Sequence, residues 1–93
     1  MDGWKDITFD DIPSVEEFKA LTLALLKQGI TNSDLIRNAI RQERKLKVSK
    51  PIGGWNDSPS GKFINQHAWG LEQLVVEGKV AKIAEKEYRM MSF

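Results

Sequence analysis

From Ser60 to Met90 the chain reads SGKFINQHAWGLEQLVVEGKVAKIAEKEYRM, one helix that ends at Gly78 and runs straight into a short β-hairpin. Ile64, Ala68, Leu71 and Val75 recur at i, i+4, i+7 and i+11, which places them in one stripe of a 3.6-residue helix, flanked by His67 and Leu74. The opposite face carries Lys62, Asn65, Gln66, Trp69 and Gln73. Gly78 stands where a left-handed residue closes a helix. Beyond it, Val80 and Ile83, then Tyr88 and Met90, bracket Ala84-Glu85-Lys86 as the turn between two short strands.

The upstream half reads as a frame for that unit. Ser14-x-x-Glu17 is a capping box, Val15, Phe18, Leu21, Leu25 and Leu26 supply a buried stripe, and Gly29 ends a first helix over 14–28. Ile30 is a short link, read as a one-residue bridge. Thr31-x-x-Asp34 is a second box, opening a helix over 32–47 with Leu35, Ile36, Ala39, Ile40 and Leu46 inward and Arg37, Arg41, Arg44 and Lys45 toward solvent. Pro51 stops it. A long loop with Gly53-Gly54 and Trp55 fills 47–60. Residues 1–12 hold Trp4, Ile7, Phe9 and Ile12, too apolar for a free tail, and are expected to pack on the domain as an extended strand. The whole, 1–93, is one mainly α (α+β) domain, a winged helix-turn-helix of three helices, the third over 61–77, with a C-terminal hairpin over 79–91.

Asn65, Trp69, Leu74 and Gly78, spaced N-x3-W-x4-L-x3-G, together with Val80, Tyr88-Arg89-Met90 and the lead-in Pro59-Ser60-Gly61, resemble the end of the N-terminal winged-helix domain of Mrr-type restriction proteins. The likeness covers about 30 residues closely and rests on packing positions, so it implies a fold. That family usually joins the domain to a nuclease domain, and no catalytic residue carries over to this chain.

The absence of cysteine excludes a disulfide framework and fits a reducing cytoplasm. With 41% hydrophobic and 29% charged residues the composition is that of a folded domain. The acidic start lacks an apolar signal region, and Leu23–Leu26 is the longest apolar run, so a cytoplasmic protein without membrane contact is expected. Net charge is only +1, but its distribution is uneven. Asp2, Asp6, Asp10, Asp11, Glu16 and Glu17 crowd the first 17 residues, and Arg37, Arg41, Arg44, Lys45, Lys47 and Lys50 crowd 37–50. An anionic partner explains this polarity, and so does a basic helix balancing an acidic tail.

Little in the chain speaks for catalysis, and no cofactor or metal is expected. Asn56-Asp57-Ser58-Pro59-Ser60-Gly61-Lys62-Phe63 misses the first glycine and the final hydroxyl of a phosphate-binding loop, and reads instead as a helix cap using Ser58 or Ser60. His67 is the single histidine and reads as a packed ring. Asp10-Asp11 and Glu16-Glu17 are adjacent, so each pair diverges on a helix.

The remaining reading is double-stranded DNA binding. Arg41, Arg44, Lys45 and Lys47 would hold phosphates. Lys62, Asn65, Gln66 and Gln73 would face bases in the major groove, and Lys82 and Lys86 on the wing would touch the backbone or minor groove. Glu72, Glu77, Glu85 and Glu87 oppose phosphate on that surface. The alternative is a protein-interaction or homodimerisation module, anchored by Trp4, Trp55 and Trp69. Trp69 is expected to be buried beneath the long loop or the N-terminal segment.

Overall fold

In a computed structural model, which describes residues 3–48 and 58–91, the elements follow from local chemistry. Ser14 Oγ accepts the Glu17 N–H at 3.1 Å and the Glu17 carboxylate accepts the Ser14 N–H at 3.4 Å, which opens helix α1, Val15–Lys27. Asn32, not Thr31, caps α2 (Ser33–Glu43), its side-chain oxygen accepting the Asp34 and Leu35 amides at 2.9 and 3.2 Å.

The second helix ends at Glu43, short of the expected 47. Lys45 adopts φ 53°, a left-handed exit made without glycine. The chain then runs extended, and β2 (Leu46–Lys47) pairs in parallel with β1 (Lys5–Asp6). Leu46 is buried as expected, but from a strand. Leu35, expected to face inward, is exposed; Ile36 and Ile40 carry the buried face of α2.

Helix α3 spans Pro59–Val76, with Ser58 Oγ accepting the Gly61 N–H at 3.1 Å and proline in the first turn, where its missing N–H costs nothing. Its buried face is Ser60, Phe63, His67, Gly70, Leu71 and Leu74. The stripe expected at 64, 68, 71 and 75 is therefore turned by about one residue's rotation: Ala68 and Val75 are exposed and the flanking His67 and Leu74 are central. Gly70 explains the rotation. A Cβ there would stand 3.2 Å from Phe18 Cβ and 3.5 Å from the Val15 carbonyl oxygen, so α1 lies directly on the glycine. The same rotation points Trp69 away from α1, and it is 52% exposed, which overturns its expected burial. The expected loop, with Trp55, falls largely outside the described residues.

Gly78 (φ 76°) closes α3, and β3 (Val80–Ala84) and β4 (Glu87–Met90) follow as an antiparallel hairpin turning at Glu85-Lys86. Lys82 faces Tyr88 and Ala84 faces Glu87, so Ile83 is the extra residue of a bulge and is turned outward. The segment between α1 and α2 adds to this hairpin. Asn32 bridges Glu87, the Tyr88 N–H donates to the Thr31 carbonyl at 3.0 Å, and the Ser33 N–H donates to the Lys86 carbonyl at 2.8 Å. The bridge expected at Ile30 thus lies two residues on. Among the described residues, three α-helices with a hairpin pinned to the α1–α2 link make a small winged-helix-like α+β fold. Its core joins Ile7, Phe18, Leu26, Ile36, Ile40, Leu46, Phe63, Leu74 and Val80, with Phe18 and Phe63 edge to face at 5.2 Å.

Candidate nucleic-acid interface

The basic residues of α2 and β2 meet the N-terminal segment. Arg41 places its guanidinium 5.2 Å from the centroid of Trp4 and donates to the Leu46 carbonyl at 3.2 Å. Arg44 pairs with Glu17 at 3.4 Å and, with Lys5, Asp10, Asp11 and Leu46, lines a cleft of about 390 Å³. Lys45 and Lys47 are exposed. On α3, Lys62 Nζ lies 5.8 Å from the centroid of Phe9, in the 3-10 turn Phe9–Asp11. One segment thus touches Arg41 of α2 and Lys62 of α3 and lines a cleft with Arg44. The acidic–basic polarity of the sequence is in part satisfied within the fold: Arg44 meets Glu17, and Lys5 meets Asp11 at 2.7 Å. The Lys5 hydrogen bond, followed by the Thr8 amide, holds the Asp11 carboxyl down at about 2.

The outer face of α3 carries Lys62, Asn65, Trp69, Glu72 and Val76, all exposed; Gln66 and Gln73 sit half-buried at its margin. The hairpin folds back along this helix, so that Ala68, Glu72 and Val75 from α3 and Lys82 and Tyr88 from the wing line a groove of about 310 Å³. Lys82 therefore stands beside the middle of α3. Lys86 is directed to the start of α2, where it meets Asp34 at 3.1 Å. Its hydrogen bond, with Arg37 adding, holds the Asp34 carboxyl below the usual carboxylate range.

Two of the four acids that would repel phosphate are engaged within the fold. Glu77 pairs with Lys19 and Lys79, and the Lys19 hydrogen bond lowers its pKa. Glu87 accepts from Thr31 Oγ1 at 3.1 Å and Asn32 Nδ2 at 2.9 Å, joining the wing to the α1–α2 link. Sequence reasoning missed this role, since more than fifty residues separate the partners and no local pattern announces it. Trp4 and Phe9 as platforms for Arg41 and Lys62 were missed too; the aromatic content of the first dozen residues was the available signal.

His67 is 1% exposed and packed against Phe18; burial, with the Arg37 charge adding, pushes it down to about 4, so it is neutral at pH 7. Among the described residues no group of three metal-ligating side chains gathers, and no helix is long and apolar enough to cross a membrane. Comparison with family models, with curated proteins and with solved structures returns no match for this chain.

Proposed function

We propose that the chain is a winged-helix module that binds double-stranded DNA, with α3 in the major groove and the wing on the flanking backbone. The observation that carries this reading is the outer face of α3. It is left open by α1, presents Lys62 and Asn65, and has the wing cation Lys82 drawn alongside its centre. Amide side chains read adenine edges and lysines meet phosphate or guanine, which suits Asn65, Gln66 and Lys62 to base contact. Arg44, Lys45 and Lys47 serve the phosphates, with Arg41 held beside them by Trp4 and Leu46. The resemblance of N-x3-W-x4-L-x3-G to the Mrr-type winged-helix domain supports the same direction. The test is duplex binding by fluorescence anisotropy at about 50 mM salt, where even non-specific binders register at tens of micromolar. Binding that weakens linearly in log salt supports the reading; no binding removes it.

A second reading is favoured by a separate observation. Trp69 on α3, Val76 at 74% exposure and Ile83 on the wing at 59% expose apolar surface where phosphate contacts would be polar. A protein partner or second copy docked on these residues would give self-association or capture without salt-dependent DNA affinity. Sedimentation of the DNA-free protein across concentration separates the two.

A further inference from the structure

The segment Gly3–Ile12 is built as a strap. Its backbone is tied to β2 by the Lys5 N–H donating to the Lys45 carbonyl at 3.1 Å and the Ile7 N–H donating to the Lys47 carbonyl at 3.3 Å. Ile7 is its one residue in the buried core; Lys5, Asp6, Phe9 and Asp10 are exposed. What the strap touches is chemically selective. Trp4 lies against Arg41, Phe9 lies against Lys62, and Asp10 and Asp11 share a cleft with Arg44. Arg41 is on α2, Arg44 follows its last residue and Lys62 is on α3, and all belong to the surface assigned above to DNA.

We propose that this strap is an intramolecular competitor for DNA, covering Arg41 and Lys62 with aromatic faces and placing the carboxylates Asp10 and Asp11 in the cleft beside Arg44, where phosphates would otherwise lie. The inference rests on the DNA-binding reading and adds a regulation to it. A cation over an aromatic face is attracted by the ring quadrupole, and carboxylates lining the cleft beside a cation repel an approaching phosphodiester. Duplex DNA must displace the rings to use Arg41 and Lys62, and must meet the acids of the cleft to reach Arg44. The strap is suited to release, because a two-residue strand pairing, buried Ile7 and half-buried Ile12 hold it, while Phe9 is already 50% exposed. Once it leaves β2, the acids Asp6, Asp10 and Asp11 move away from the phosphates and Arg41 and Lys62 are freed together, while Arg44 keeps its Glu17 partner on α1.

The experiment compares the full chain with Trp4→Ala, Phe9→Ala and Asp10→Asn in duplex binding at about 50 mM salt, each protein first checked for an unchanged thermal transition. Phe9 and Asp10 are exposed, so those two variants keep the core intact even where Trp4→Ala loosens the strap's start. The expected result is tighter binding by about two- to fivefold for each aromatic variant, the size of one exposed cation–π contact, and a gain in the same direction for Asp10→Asn. Hydrogen exchange gives an independent reading: added duplex should deprotect the Lys5 and Ile7 amides while those of α1 keep their protection. Variants that bind where the wild type does not support complete occlusion. Wild-type binding with unchanged or weaker affinity in Phe9→Ala and Asp10→Asn overturns the strap and leaves DNA binding standing. No binding by any of the four proteins overturns both.

Discussion

Phe18 of α1 and His67 of α3 meet edge to face, ring centroids 5.5 Å apart and planes at 64°, both buried between the two helices. An imidazole held there is buried with the core, and among the described residues it is the one buried side chain that can acquire a charge.

The pH dependence of stability follows. Folded His67 titrates near 4, against about 6.5 for an unfolded histidine. Between these values the unfolded chain binds a proton that the folded chain refuses, so stability rises with pH across the interval. It is complete above about pH 6.5, declines as pH falls, and below about 4 is lower by about 3 kcal/mol. The lowered carboxylates Asp11, Asp34 and Glu77 lose their contribution further down, as pH falls through their own folded values. Urea midpoints from pH 7 to 4 should therefore slope in the wild type. In His67→Phe they should be nearly flat over pH 6.5–4.5, whatever the mean stability of that variant.

Gly70→Ala tests the close approach of α1. Alanine improves helix propensity by about 1 kcal/mol, but its methyl would sit 3.2 Å from the Cβ of fully buried Phe18, which cannot shift without moving the α1 backbone. Overpacking costs about 1–3 kcal/mol, so a net loss is expected, seen as a lower urea midpoint with unchanged m-value. A more stable variant would show that the helices can part freely.

The element plan was legible in the sequence because caps and terminators are local. Ser14-x-x-Glu17, Gly29, Gly78 and the apolar run of α1 each declare themselves within four residues. The face that α3 buries was not legible. Its stripe at 64, 68, 71 and 75 has the right period, but so does the set 60, 63, 67, 71 and 74, and the choice is made by Gly70 fitting Phe18, a contact across some fifty residues. Trp69 was misplaced by that one rotation. The end of α2 was hidden for another reason, since a lysine takes the left-handed position where glycine would have been visible. In the candidate site, residue types were legible and their neighbours were not: Arg41 and Lys62 read as solvent-facing cations, and their aromatic platforms come from the far N-terminus.

Thr22 Oγ1 is buried without a hydrogen-bond partner. A hydroxyl in that position contributes a desolvation cost and little else. Thr22→Val keeps the shape and should raise stability by about 1 kcal/mol, or about 4–8 °C in thermal midpoint for a domain of this size. A lower midpoint would mean that the hydroxyl has a partner in solution.

Glu87 is the hinge pin of the wing, accepting from Thr31 and Asn32 while its backbone bridges Asn32. Glu87→Ala leaves two half-buried donors unsatisfied and should cost about 1–3 kcal/mol. The damage should be local: amides at Ser33 and Tyr88, which close the third strand, lose exchange protection before those of α1 do. Glu87→Gln, which retains a carbonyl acceptor, should recover part of the loss.

The two halves of the proposed interface should respond differently to truncation. Lys45 and Lys47 are exposed cations of the strap side, so Lys45→Ala and Lys47→Ala should weaken binding to all duplexes alike, each reducing the salt slope by about one. Asn65→Ala and Gln66→Ala act on the base-facing helix and should cost about 1–3 kcal/mol on a preferred sequence and little on random DNA. Trp69 decides between the readings. Half-exposed, it should cost only about 1 kcal/mol of stability when cut to alanine, near the centre of the usual range for point substitutions, so Trp69→Ala stays folded and its binding can be measured cleanly. On the DNA reading the variant remains as monomeric as the wild type and changes affinity for duplex. On the interaction reading it abolishes self-association or partner capture, and neither protein shows a salt-dependent affinity for DNA.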